Sequence, residues 1–136
     1  MNRFVLADTG PLYAAVDPDD AHHRRAQSDL GRLVEEKRGV TIAYPTLLET
    51  YSLVLRRLGK KAASRWLDEV LNATSLVNPS TEEYLQAALQ LGNFSDQSIT
   101  LFDAVVSVLA MKLGAPVWTY DHHFDVMRSK VWRWAD

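Results

Sequence analysis

Short apolar runs alternating with longer segments of helical period restrict this chain to few folds. The first run, Phe4-Val5-Leu6-Ala7, is apolar without interruption, as in a strand covered on both faces of a parallel sheet. It ends abruptly in Asp8-Thr9-Gly10-Pro11, where a helix can begin with proline in its first turn. Asp17-Pro18-Asp19-Asp20 is turn chemistry. Residues 21 to about 38 predict a helix, with Ala26, Leu30, Leu33 and Val34 recurring at helical spacing until Gly39 stops it. Residues 40–44, β-branched and bounded by Gly39 and Pro45, predict a second strand.

The same alternation continues. A helix is expected over residues 46–58, through Leu47, Leu48, Tyr51, Val54 and Leu55. Another is expected over 60–73, with Ala63, Trp66, Leu67, Val70 and Leu71 on one side. Ser75-Leu76-Val77 reads as a short strand, residues 80–91 as a helix and residues 92–97 as polar loop. Residues 101–113 form a strong helical pattern, with Phe102, Val105, Val106, Leu109 and Leu113 on its expected buried face and Gly114 closing it. Residues 115–120 lead into a strand ending at Asp121, and Val131-Trp132-Arg133-Trp134 suggests a final edge strand. The expected architecture is one domain spanning residues 1–136, a three-layer α/β/α sandwich around a mainly parallel sheet. Ligands of such folds sit beyond the carboxyl ends of the strands, where the chain order reverses. Asp8 and Asp121 are both expected at that end.

Composition narrows the chemistry. Of 136 residues, 47% are hydrophobic and 24% charged, a globular balance. The absence of cysteine removes disulfides, thiolate zinc sites and thiol nucleophiles together, and is compatible with a reducing cytoplasm, the expected location. The net charge of -2 supplies no global basic field, so any nucleic-acid contact must come from a local patch. The short N-terminal apolar run, broken by Asp8, is neither a signal peptide nor a membrane span, and no membrane partner is expected.

Two more acids sit near predicted helix starts, Glu49 in Thr46-Leu47-Leu48-Glu49 and Asp103 in Thr100-Leu101-Phe102-Asp103. Asp103 lies in an apolar setting where a solitary charge is expensive to bury. Each pattern also fits a capping box, in which threonine and acid satisfy free N–H groups reciprocally, as in Ser80-Thr81-Glu82-Glu83. Asp8 and Asp121 could equally be turn residues at strand ends. The functional argument is the set of four. Carboxylates sharing one cleft repel one another, and a hard divalent cation such as Mg2+ or Mn2+ resolves that conflict. Such an ion activates water and stabilises charge on a phosphate, so phosphodiester hydrolysis fits better than zinc proteolysis.

In order along the chain, these motifs resemble those of the PIN domain family, and within it the VapC-type toxins of toxin–antitoxin pairs. Phe4-Val5-Leu6-Ala7-Asp8-Thr9-Gly10 resembles the opening strand and first acid, and Glu49 the second. Leu101-Phe102-Asp103-Ala104-Val105-Val106 resembles the third, and Thr119-Tyr120-Asp121-His122-His123-Phe124 the final signature. Asp20-Ala21-His22-His23-Arg24-Arg25-Ala26 resembles the early helix of these toxins. The resemblance implies a Mg2+- or Mn2+-dependent endoribonuclease acting on structured or messenger RNA. It also implies a homodimer inhibited by a small antitoxin, through which alone DNA would be contacted. Asp8, Glu49, Asp103 and Asp121 would then hold the metal, one of them or the metal itself would activate the water, and Thr9, Thr100 and Thr119 would orient the acids as hydrogen-bond donors.

Other features are weighed against plainer readings. His22-His23 and His122-His123 are each adjacent pairs, whose rings are expected to point apart and not to share a metal; His123 is expected to bond beside Asp121. Asp125 is expected to be a surface residue before an outer carboxylate. Arg56, Arg57, Lys60, Lys61 and Arg65 form a basic concentration suited to RNA phosphates or a partner, or to plain solvent. Trp66 and Trp118 are expected in the core, and Trp132 and Trp134 on one face of an edge. The competing functions are a housekeeping RNA-processing nuclease, a non-catalytic module of the same fold, and a phosphoacceptor regulator. The last lacks a second acid beside the first turn.

Overall fold

The computed structural model describes residues 3–94 and 98–133. In chain order it runs β1 (Phe4–Ala7), α1 (Thr9–Val16), α2 (His23–Glu35), β2 (Gly39–Ala43), α3 (Tyr44–Leu58), α4 (Lys60–Ala73) and β3 (Ser75–Val77). There follow α5 (Thr81–Leu91), a 3-10 turn (Gly92–Phe94), α6 (Leu101–Leu113), β4 (Val117–Trp118) and α7 (His123–Val126). The strands form one sheet in the order β3-β2-β1-β4, and every pairing is parallel. Leu6 lies opposite Thr41 on one side and Val117 on the other.

Strand alternation sorts the core into two layers. Val5 and Ala7 of β1, Ile42 of β2 and Trp118 of β4 face α1 to α4, where Leu12, Tyr13, Leu33, Val54, Trp66 and Val70 close over them. Leu6, Ala43 and Val117 face the other way, against Val105, Val106 and Leu109 of α6 and Phe124 of α7. Both faces of the sheet are thereby covered, which is why β1 is apolar at every position. The expected α/β/α sandwich is the observed one.

The order places a switch point beside β1. From β1 the chain moves outward through β2 to β3, then returns past β1 to lay down β4 on its far side. The carboxyl ends of β1 and β4 are therefore neighbours from which the chain departs in different directions, the position where such sheets bind ligands. The backbone N–H of Asp8 donates to the Trp118 carbonyl at 2.9 Å, so the ladder runs to the first acid itself.

Local differences from expectation have physical causes. Helix α3 begins at Tyr44, because Pro45 occupies its first turn instead of ending the preceding strand. Strand β4 stops at Trp118, short of Asp121. The expected edge strand at residues 131–134 is reduced to one bridge between Val131 and Val117, with Trp134 outside the described residues. Val34, Leu48, Leu55, Leu71, Phe102 and Leu113 are exposed. All but Leu113 directly adjoin a buried residue and lie beyond the arc their helix can bury; Val34 follows the buried Leu33, and Phe102 precedes the buried Asp103. Leu113 is the last residue of α6, between the exposed Lys112 and Gly114. Gly114 ends α6 in the left-handed conformation at φ 64°, where a Cβ would be costly. Among the described residues no helix is long and apolar enough to cross a membrane.

Candidate active site

The four sequence-selected acids reach the switch point from four elements. Asp8 directly follows β1, and Asp121 lies in the turn after β4. Glu49 comes from the second turn of α3 and Asp103 from the first turn of α6. Asp8 and Asp103 are each 8% exposed, so both carboxyl groups depend on protein partners more than on water.

Thr119 ties the two strand ends together. Its hydroxyl donates to Asp8 Oδ2 at 2.9 Å and accepts the Asp121 N–H at 3.0 Å. Thr9, the first residue of α1, donates its hydroxyl to Glu49 Oε1 and accepts one from Thr50 at 3.2 Å. His123 joins the other two acids: Nδ1 lies 3.3 Å from Asp103 Oδ2 and 3.2 Å from Asp121 Oδ2. Its backbone N–H also donates to Asp121 Oδ1 at 2.9 Å, and its Nε2 is 3.4 Å from the Ser98 hydroxyl. Two brackets thus converge, Thr119 and His123 around Asp8, Asp121 and Asp103, and the Thr9–Thr50 pair around Glu49.

The capping alternative separates the helix-borne acids. For Asp103 it holds: Thr100 accepts the Asp103 N–H and the Asp103 carboxylate accepts the Thr100 N–H, both at 3.2 Å. Thr100 acts as the N-cap of α6, and its contact to the acids runs through Asp103. For Glu49 capping fails, because α3 starts before Thr46 and its N-cap position is Ala43. Its side chain is held by Thr9 instead.

Burial pushes the Asp8 carboxyl up to about 7; the Thr119 hydrogen bond opposes this, and the negative charges of Asp103 and Glu49 add to it. Asp8 therefore feels both helix-borne acids. The ion pairs described for the set run to His122 and His123 rather than to lysine or arginine. A cluster of carboxylate oxygens with unbalanced negative charge fits a hard, oxygen-loving cation. Asp121, His122 and His123 also present donor atoms within 4.8 Å of one another. This corrects the expectation that the histidine pair points apart: at the entry to α7 both rings lean over Asp121, with centroids 4.7 Å apart. His122 is largely exposed, however, and His123 Nδ1 is already engaged by two acids, so the oxygen-rich set remains the better fit for Mg2+ or Mn2+.

The basic residues stand apart from this cluster. Arg56, Arg57, Lys60, Lys61 and Arg65 are all exposed around the α3–α4 junction, with Arg57 about 12 Å along the helix from Glu49. Arg57 stacks over Tyr13, 5.2 Å from the ring centre. Asp125 is exposed and pairs with Arg133 at 2.7 Å, as a surface residue should. Sequence reading missed Thr50, Ser98 and Asp29. The last was legible, since Asp29 falls between Ala26 and Leu33 on the buried side of α2, and it is 6% exposed.

Thr119 links the two strand-end acids through a single hydroxyl. Thr119→Val keeps the volume but removes both hydrogen bonds, and is expected to weaken divalent-metal affinity by about 10–100-fold. Isothermal titration with Mn2+ measures this, and unchanged affinity would deny Thr119 its orienting role.

Comparison with known proteins agrees with the fold. Residues 5–130 match the PIN domain family. A search of curated proteins found no match. Among solved structures the chain is similar to Mycobacterium tuberculosis VapC20, described as a sarcin-ricin loop cleaving toxin. That match has 23% identity and a TM-score of 0.82, covering 95% of this chain and 98% of the other. It is also similar to VapBC2 from Rickettsia felis, solved with a fragment of promoter DNA, at 15% identity and TM-score 0.73 over 94% and 96% of the two chains. FitAcB from Neisseria gonorrhoeae gives 18% identity and TM-score 0.68 over 96% and 97%. At these identities the neighbours speak to the fold, whereas the family match spans the switch point, its flanking acids and nearly all the elements that carry them. The chain belongs to the PIN domain family.

Proposed function

We propose that this chain is a Mg2+- or Mn2+-dependent endoribonuclease acting as the toxin of a toxin–antitoxin pair in the cytoplasm. The observation that carries the reading is the buried Asp8 at the switch point, its carboxyl raised to about 7 and surrounded by Asp103, Glu49 and the Thr119-linked Asp121. Family membership and the cleaving activity in the description of VapC20 support it. Asp8, Glu49, Asp103 and Asp121 would hold the ion, which when bound supplies an acidified water and stabilises charge on the phosphate. Thr119 and Thr9 fix the carboxylate orientations, and His123 holds Asp103 and Asp121 at a common spacing.

The proposed partners are a cognate antitoxin, a second copy of the chain and, through the antitoxin alone, DNA. An exposed apolar surface of Leu48, Tyr84 and Phe102, beside the half-buried Pro45, supports protein association. The basic residues at the α3–α4 junction suit RNA phosphates or the antitoxin.

Purified protein incubated with RNA is expected to cut it with Mg2+ or Mn2+ and to stop when EDTA is added. Cleavage persisting in EDTA, or a protein that binds neither metal, sinks the metal-nuclease reading; the second result favours a non-catalytic scaffold. Absence of a neighbouring short gene for a small DNA-binding protein would favour the housekeeping nuclease over the toxin.

A further inference from the structure

Strand β4 and the turn after it face two different sites. Thr119 turns toward Asp8, whereas Trp118 and Tyr120 turn to the opposite side, toward α2. On that side opens a cavity of about 410 Å3, within the ~300–1,000 Å3 range of small-ligand pockets. Its floor is Asp29, whose Oδ2 accepts the Trp118 indole N–H at 3.0 Å and the Tyr120 hydroxyl at 2.6 Å. Both donors go to one oxygen, leaving Oδ1 able to accept from a ligand. Tyr120 and Trp132 supply flat walls, and the Trp132 indole is pinned by its N–H bond to Glu36 at 2.9 Å. At the rim stand two arginines. Arg25 lies 4.1 Å over the Tyr120 ring, and Arg133 is held by Asp125.

This combination excludes simple occupants. A bare anion would suit the arginines but not a carboxylate floor, and a cation would suit the floor but meet two arginines on entry. A nucleotide carries both complements: N–H donors on the base edge, a π-face for aromatic walls and an anionic phosphate. We propose that the cavity is a nucleotide subsite, taking one RNA base against Asp29, Tyr120 and Trp132 with the flanking phosphate on Arg25 and Arg133. The inference rests on the ribonuclease reading for its substrate. Thr119 lines the cavity and also holds Asp8, so the subsite and the acids share one residue at the end of β4.

The test uses the full chain in EDTA, which suppresses cleavage. Tryptophan fluorescence is titrated with the four nucleoside 5′-monophosphates and with inorganic phosphate, and a short labelled oligoribonucleotide is followed by anisotropy. At least one nucleotide is expected to bind more tightly than phosphate. Arg25→Ala is expected to raise the oligonucleotide Kd roughly 10-fold and to lower the salt-dependence slope by about one. Ser28→Trp, which fills the cavity from its rim, should abolish nucleotide quenching. With Mg2+ or Mn2+ present, both variants should raise KM while kcat stays within about twofold. The subsite is overturned if phosphate binds as well as every nucleotide, or if both variants leave Kd and KM unchanged in a protein that cleaves RNA. It is equally overturned if an antitoxin peptide, but no nucleotide, binds there. A protein that binds nucleotides in the cavity yet never cuts RNA would instead retain the subsite and remove the ribonuclease reading.

Discussion

Asp8→Asn is expected to lower metal-dependent RNA cleavage by roughly 10^3-fold or more, about 4 kcal/mol of transition-state stabilisation, while making the metal-free protein more stable at neutral pH. Both effects come from one property. Asp8 is buried between elements that carry two other carboxylates, and its ionised form is disfavoured until a cation compensates. Asparagine keeps the volume and an oxygen for Thr119 to donate to, but removes the charge. The cation then loses an anionic ligand, and the apo protein loses a repulsion. Single-turnover cleavage in Mg2+ or Mn2+ and urea denaturation in EDTA read the two halves separately. A variant that loses activity because it unfolds would lose stability as well, so the opposite signs distinguish a site acid from a structural one. Cleavage within tenfold of the parent protein would falsify the assignment of Asp8.

Much of this arrangement was legible because it depends on local pattern. The apolar run before Asp8 announces a doubly covered strand, and Leu6 and Ala7 fill opposite layers as it implies. Gly114 marks a helix end that the backbone adopts at φ 64°. What stayed hidden depends on contacts between distant segments. The spacing of α2 places Asp29 on the buried side, but its role is invisible until Trp118 and Tyr120 bring their donors from 89 and 91 residues away. Thr50 has no visible role in sequence, but it supports Thr9 from 41 residues away.

The acids illustrate the same division. Asp103 satisfies a local rule and a distant one together, capping α6 while lying beside His123. Sequence could propose either role without seeing that they coincide. Glu49 follows a threonine at the same spacing, yet Pro45 starts its helix early and moves Thr46 out of the cap position. A two-residue shift in a helix boundary, the least certain quantity in any sequence reading, thus removed the capping role from that acid. The histidine pair shows the limit of idealised geometry. Adjacent side chains diverge on a regular helix, but at the irregular entry to α7 both lean over Asp121.

Without metal, the protein is expected to become less stable as pH rises from about 4 to 7, the reverse of what ordinary surface carboxylates produce. In the unfolded chain Asp8 titrates near 3.8, and in the fold near 7. The native state therefore binds the extra proton throughout that window, and the linkage slope is negative. The contribution of Asp8 is complete below pH 3.8 and falls away as pH rises through about 7. Its full span approaches about 4 kcal/mol, three pKa units at roughly 1.36 kcal/mol each. Three other acids work in the opposite sense at the acidic end: Glu36, held down by Trp132, Glu83 by Lys112 and Asp17 by Tyr13. Their stabilisation is lost as pH drops below their ordinary values, so the Asp8 effect is read as the difference between the parent protein and Asp8→Asn. Mn2+ should reverse the loss at pH 8, recovering about 2.7 kcal/mol at a hundred times its Kd. It should do little at pH 5, where the proton it must displace is still bound. Urea denaturation at pH 5 and 8, with and without Mn2+, checks all of this. A parent protein and Asp8→Asn variant with parallel pH profiles would mean that Asp8 is not the buried acid on which the site depends.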